Sequence, residues 1–538
     1  MRAPHPTLDR LDRIGWSLAA GVMLALSYPP AGLYPLAWVA LVPLIVRWAR
    51  AHRSAHLAAE VYAAFLIVAA VTGGGAVLHP YADQALFAGL GLLVLPLPFA
   101  LAFGLAGVVR ARLGLVVGTA SLVANLLAAE AISGFGLAGL PWLALGHTQA
   151  DATLFISIAE IGGVGILSLW VILVNVLFFA AACARPRPGF VPGPRSLALL
   201  LALAVLVAPA AYGDQRQPVA PRHMMDVAVV QPGTPAATWG AISDGARVDT
   251  MARLSDALLA SAPAPPRLLV WPEGSVPLLG DAGREERLYD RLGVWARGRG
   301  TYLLAGAYTT GRSAPSGASA GDGYRSAAIL FGRGEAQAYE RMHLMPLVER
   351  VPLLGRENIP AEALAPPGET PSYAAGDHRR LLDAGGIRVA APLGMETLQG
   401  AHVAALVADG ADVIIAPAQT GWWAPAPLAS QHLRLTRLRA VETGRAVLLA
   451  TVSGPSALVT PDGAIRLLGG ESQRATFFVE VPLYLGTSPY VQHGDFIWHG
   501  GLLVSGLLTI VGLAAAAARR SAPRRRPAPA GAARLVGA

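Results

Sequence analysis

The chain has 538 residues, 54% of them apolar and only 14% charged, with a mean hydropathy of +0.48. Soluble proteins carry about 25% charged residues, so a wholly water-soluble protein is excluded, and the length points to two units. The formal charge of +8 contains no lysine, which excludes Schiff-base and lysine acid–base chemistry, and the single cysteine, Cys183, excludes an intrachain disulfide or a cysteine metal cluster.

Spanning a bilayer takes about 20 mostly apolar residues. Candidate spans lie near 14–29, 34–47, 58–79, 85–109, 114–133, 154–183 and 195–212, with an eighth near 499–518. Pro29 and Pro30 interrupt the first two. A cleaved signal peptide is not expected, because a second apolar run follows the first at once. Arginines collect before the first span (Arg2, Arg10, Arg13), after the second (Arg47, Arg50, Arg53), after the fourth (Arg110, Arg112) and after the sixth (Arg185, Arg187, Arg195). The alternate connections PPAGLY, HPYADQ and GFGLAGLPWLALGHTQADAT carry none, and RRSAPRRR follows the last span.

Cytoplasmic loops accumulate positive charge. The pattern therefore predicts a membrane domain of about seven helices over 1–213, an extracytoplasmic region over 214–494, and a last helix with a basic cytoplasmic tail over 495–538. Both termini fall on the cytoplasmic side. Glu130 and Glu160 lie near span ends, where a carboxylate either serves a functional path or reaches the interface; the sequence leaves both open. No nucleic-acid partner is expected, since the arginines sort by membrane side without stacking aromatics among them.

From about 226 the pattern changes to short apolar runs bounded by Gly, Pro and Asp. Strands are predicted at DVAVVQ, RLLVWPE, TYLLAGAY, SAAILFG, IRVAAPLG, DVIIAPA, AVLLATVSG, SALVTPDG and TFFVEVP. Helical periods occupy 248–261, 284–298, 400–409 and 428–443, and 311–323 is a loop excursion. Strands alternating with helices define an α/β domain. Chemistry is sought where polar residues end apolar strands. Glu273 ends LLVWPE, Arg341, His343 and Glu349 lie in YERMHLMPLVERVP, and Glu396 follows Gly394 in AAPLGMETLQG. A buried carboxylate there suits a general base, although each is equally a cap or salt-bridge partner.

The chain resembles the apolipoprotein N-acyltransferase family, the integral-membrane branch of the nitrilase (carbon-nitrogen hydrolase) superfamily. The runs that carry the likeness are LAWVALVPLI, GFGLAGLPW, GGVGILSLWVILVN, VVQPGTPAATW, WPEGSVP, YERMHLMPLVERVP, RLRAVETGRAVLLAT and GTSPYVQHGD. The resemblance implies a multi-span helical bundle carrying an αββα sandwich. It also implies a Glu–Lys–Cys triad that moves an acyl chain from a phospholipid, through a thioester, to the amino group of a lipoprotein's terminal cysteine. The implied partners are phospholipid acyl chains, lipoproteins or lipopeptides and the bilayer; no cofactor or metal is implied.

Carried over position by position, the base is Glu273, the family lysine falls on Arg341, a second glutamate is Glu349, and the cysteine falls on Gly394 with Glu396 after it. Gln231 and Trp239 match family positions near the first strand. Leu449 and Val452 stand where the family prefers arginine and asparagine. Glycine offers no atom to acylate, and the guanidinium at 341, with a pKa above about 12, cannot shuttle protons as lysine does. The expectation is a catalytically impaired homologue that binds lipid or lipoprotein. The alternative is an active acyltransferase or hydrolase using Ser275, Thr397, Ser453 or Glu273-activated water. A transporter-like role of the bundle has only Glu130 and Glu160 behind it. Loops near 354–368 and 420–428, with Trp422 and Trp423, are candidates to gate the cleft.

Overall fold

The computed structural model describes residues 6–51, 54–78, 82–135, 142–184, 193–216, 220–277, 279, 282–309, 325–344, 374–421 and 427–521. Glu349, Trp422, Trp423, the excursion 311–323, the loop 354–368 and most of the basic tail lie outside these.

The membrane part begins with α1 (Pro6–Ser27), α2 (Ala37–Ala40), α3 (Val42–Arg50) and α4 (Ser54–Gly73). It continues with α5 (Ala82–Val94), α6 (Leu97–Leu113), α7 (Leu115–Phe135), α8 (Ala159–Cys183) and α9 (Pro194–Gln215). Six stretches are long and apolar enough to cross a membrane: His56–Val77, Ala88–Leu113, Leu115–Gly134, Ile156–Cys183, Pro194–Gln215 and Phe496–Ala518. Ile14–Ser27 is a shorter apolar stretch. The segment predicted as a second span is built of three short helical pieces between Tyr34 and Arg50. Pro35 and Pro43 each sit at a helix start, where a missing N–H costs nothing but an uninterrupted helix cannot pass. Exposed leucines on α9 (Leu197, Leu200, Leu203) form the kind of apolar face that only lipid or protein can cover.

The extramembrane part opens with β1 (His223–Gln231), α10 (Ala236–Ala241), α11 (Asp244–Ala260), β2 (Leu268–Val276) and α12 (Ala282–Gly298). Then come β3 (Tyr302–Thr309), β4 (Arg325–Phe331), β5 (Gln337–Glu340), β6 (Leu382–Asp383), β7 (Arg388–Ala390) and α13 (Gly400–Ala408). It closes with β8 (Val413–Ala418), α14 (Pro427–Thr443), β9 (Val447–Thr451), β10 (Ser456–Val459), β11 (Ile465–Gly469), β12 (Ala475–Leu483) and α15 (Pro489–His493). The long helix α16 (Phe496–Ser521) follows.

The strands form two six-stranded sheets, in orders β12-β1-β2-β3-β4-β5 and β11-β10-β9-β8-β7-β6. In the first, β1, β2 and β3 run parallel; in the second, β7, β8 and β9 do. Alternation along β1 assigns Val227 and Val229 to the core shared with Val389, Ile414 and Leu448 of the other sheet. Ala228 and Val230 go to the core under α11 and α12. A period of two has thus split each strand between two layers. With α13 and α14 on the far side of the second sheet, the layers read αββα. The C-terminal ends of the parallel strands of both sheets point to one edge, where ligands of α/β folds bind.

Helix α14 also packs on the bundle. Leu428, Leu435, Leu438 and Val441 join the bundle's core. Arg434 and Arg437 both reach Asp151, at 2.7 and 3.1 Å, and donate to the carbonyls of Pro30 and Ala150.

Candidate active site

Beyond β7 the chain turns at Gly394, with φ +52, into a short 3-10 turn, Gly394–Leu398. This left-handed backbone suits glycine, since a side chain there is strained. A β-carbon on Gly394 would lie 2.6 Å from Nη2 of Arg341 and 2.8 Å from Oε2 of Glu273. Position 394 therefore faces Arg341 and Glu273, and their side chains fill the space its own would need.

Glu273 stands at the end of β2, between Pro272 and the positive-φ Gly274. Its Oε1 accepts from Nη2 of Arg341 at 2.5 Å and from Oγ of Ser326 at 3.0 Å. Its Oε2 accepts from the backbone N–H of Gln419 at 3.0 Å. The Arg341 and Glu273 side chains are only 8% and 6% exposed, so this is a buried, hydrogen-bonded ion pair, strong against loss of one partner. Two more donors hold the turn after Glu273: Nε1 of Trp239 and a guanidinium N–H of Arg247 each reach the Gly274 carbonyl at 3.3 Å.

Glu396 does not face the ion pair as an acid or base; it ties the elbow together. It accepts from the backbone N–H of Met342 at 2.8 Å, of His343 at 3.1 Å and of Leu393 at 3.2 Å, and from the Tyr339 hydroxyl at 2.7 Å. One carboxylate thus joins the chain just after Arg341 to the residue just before Gly394. Burial alone would raise its pKa, but His402 at 3.5 Å, Tyr339, His343 and Arg341 together hold it below its ordinary 4.5. The exposed His343 ring packs edge-on against His402 at 4.6 Å.

The alternative nucleophiles are placed as follows. Ser275 donates to the Pro272 carbonyl at 2.7 Å and is fully buried. Thr397 is fully buried and donates to the Gly394 carbonyl. Nε2 of His432 lies 2.9 Å from that hydroxyl and 3.1 Å from the same carbonyl. A carbonyl can only accept, so Nε2 carries the proton and is not a base toward Thr397. Burial holds His432 down to about 4, against the opposing pull of that carbonyl, so it is neutral at pH 7. Ser453 follows β9 at the same sheet edge and is 4% exposed.

Gln231 holds the loop before β12, donating to the carbonyls of Gly470 and Gln473. Leu449 and Val452 are fully buried and belong to the two cores. Cys183 is exposed at the far end of α8, about 30 Å along that helix from Gly163 at 1.5 Å per residue. In the bundle, Glu130 accepts from Leu145 N–H and Trp498 Nε1, and Glu160 pairs with Arg216 at 2.6 Å.

Ser326, Gln419, Tyr339, Arg247, His402 and His432 were not singled out from sequence. Gln419 carried one usable signal, as the polar residue ending the apolar run DVIIAPA; its contribution is a backbone N–H, which any residue supplies.

A two-sheet sandwich with glutamate, a cation and an elbow at one strand edge, joined to a helical bundle, defines a membrane-bound protein of carbon-nitrogen hydrolase type. A family model described as apolipoprotein N-acyltransferase N-terminal domain matches residues 20–177, and one described as carbon-nitrogen hydrolase matches 226–488. Proteins named apolipoprotein N-acyltransferase match over most of the chain. That of Azotobacter vinelandii is 29% identical over 507 residues, 90% of this chain and 92% of its own. That of Geobacter metallireducens is 28% identical over 520, covering 92% and 94%. Among solved structures, an amidase of the nitrilase superfamily from Nesterenkonia is 21% identical, with TM-score 0.35 over 53% of this chain and 99% of its own. The chain therefore matches an apolipoprotein N-acyltransferase N-terminal domain followed by a carbon-nitrogen hydrolase domain, and is similar to proteins named apolipoprotein N-acyltransferase over most of its length.

Proposed function

We propose that this protein acts in bacterial lipoprotein maturation as a binding member of its family, engaging phospholipid acyl chains and lipoproteins without forming an acyl-enzyme. One observation carries the reading: the Arg341–Glu273 ion pair occupies the space into which a nucleophile at 394 would project. A covalent route needs an activated nucleophile beside a base, and losing one removes several powers of ten in rate. Activation of water by Glu273 is less favoured on the same geometry, because Oε1 already accepts two hydrogen bonds and the paired Arg341 guanidinium draws on the negative charge a base would use. Glu273, Arg341 and Glu396 serve on this reading to hold the cleft's shape. The arginine distribution supports an inner-membrane orientation with 214–494 extracytoplasmic and both termini cytoplasmic.

The test is transfer. Purified protein in detergent is mixed with a phospholipid carrying a tagged acyl chain and with a diacylated lipopeptide. Binding of either, with no tag passing to the peptide, is expected. Tag transfer that disappears in Glu273→Gln would establish catalysis, and its loss in Ser453→Ala would name the nucleophile.

A further inference from the structure

Away from the elbow, where α14 meets the bundle, two arginines gather on one carboxylate. Arg434 and Arg437 lie 2.7 and 3.1 Å from the two oxygens of Asp151, so the group carries one positive charge in excess. Nη1 of Arg434 also donates to the Pro30 carbonyl at 2.9 Å, and Nη1 of Arg437 to that of Ala150 at 2.8 Å. Gly32 packs so closely that a β-carbon on it would lie 2.6 Å from Asp151 and 3.1 Å from Arg434. The Arg434 guanidinium is thus fixed through Nη1 alone. Its other donors, Nε and Nη2, have no hydrogen-bond partner among the described residues, and the side chain is 32% exposed. That edge of a guanidinium presents two parallel N–H groups, the fork that matches two oxygens of one phosphate.

The surroundings set this edge at the level of lipid headgroups. Asp151 stands just before Ile156, where a membrane-length stretch opens, and Pro30 just after Ser27, where another apolar stretch ends. Tyr34, Trp38 and Phe155, from the same two segments, meet edge-on with ring centroids 5.7 and 5.6 Å apart, and such aromatic side chains collect at membrane surfaces. Leu33 and Leu154, again from these segments, are 51% and 60% exposed. A spare cation among uncovered apolar side chains suits an amphiphile with an anionic head.

We propose that the open edge of Arg434, braced by Asp151, holds the phosphodiester of a phospholipid headgroup at the junction of α14 and the bundle. This rests on the reading that the protein engages phospholipid, and it adds which part of the lipid is recognised and where. A charge-assisted, partly exposed contact of this kind sorts lipids by head rather than by chain, and weakens with salt.

The full chain in neutral detergent is loaded with phosphatidylglycerol or with diacylglycerol of the same chains, each with and without inorganic phosphate, and retained lipid is read by native mass spectrometry. Phosphatidylglycerol is expected to be retained about fivefold over diacylglycerol, the effect of one partly exposed charge pair. Arg434→Gln is expected to bring the two lipids to parity, while Arg222→Gln, at an exposed cation just before β1, keeps the preference. Asp151→Asn separates recognition from a merely structural role: a broken latch would lower retention of phosphatidylglycerol, whereas loss of the competing carboxylate is expected to raise it. A preference that survives Arg434→Gln, or vanishes equally in Arg222→Gln, overturns the proposal, as does lowered retention in Asp151→Asn. Displacement of the lipid by equimolar inorganic phosphate would mark a free-anion site and overturn the lipid assignment. Retention of both lipids without preference overturns this assignment alone, and retention of neither overturns the phospholipid reading with it.

Discussion

A β-carbon at position 394 would meet both Arg341 and Glu273, so returning a cysteine there alone is expected to harm rather than restore. The positive φ and the contact together are expected to cost about 1–3 kcal/mol of stability, measured by thermal unfolding, with no acylation. Pairing Gly394→Cys with Arg341→Lys removes the guanidinium from that space and is expected to give partial acyl loading at most, since on the proposed reading Leu449 and Val452 also replace polar residues at the same sheet. Glu396 makes a separate prediction. Its carboxyl is held below its ordinary 4.5, so its contribution is present above that value and lost as pH falls through the lower folded-state value. Glu396→Ala is expected to cost about 3–5 kcal/mol, as a break in a buried charged network does, and to flatten the acid side of the stability profile. Glu273, Arg341 and Gly394 were legible because each is an odd residue in a motif at a strand end. The partners of Glu273 were not: Ser326 and the Gln419 amide lie 53 and 146 residues away.

Among the elements, strands with a long apolar run were readable and short peripheral ones were not. QAYE of β5 is four residues long, LD of β6 two, and β11 has two exposed residues at its centre, Arg466 and Leu467. Edge pieces of that kind are formed by their neighbours rather than by their own pattern. Between Tyr34 and Arg50 the composition is that of a span, while the prolines divide its helix into short pieces. Helix α8 offers a direct check on orientation. Its exposed Cys183 is the sole thiol, so a membrane-impermeant maleimide is expected to label inverted vesicles and spare intact spheroplasts. Labelling of intact spheroplasts would reverse the topology. At the latch of α14, Asp151→Asn leaves Arg434 and Arg437 without their shared counter-charge. As the groups are partly exposed, a loss of about 1 kcal/mol is expected in thermal unfolding.

Over the whole molecule, a lipid-facing bundle and a two-sheet domain are docked through α14, whose His432 also touches the carbonyl of the elbow. The two-domain architecture is that of the matched models, and on the proposed reading glycine and arginine stand where the catalytic cysteine and lysine would fall, while the sequence's only sulfhydryl sits at the distal end of α8. The most direct measurement is the intact mass of the purified chain after incubation with phospholipid. The mass is expected to stay unchanged while the lipid is retained non-covalently. A gain equal to one acyl chain, absent in Glu273→Gln, would contradict the account.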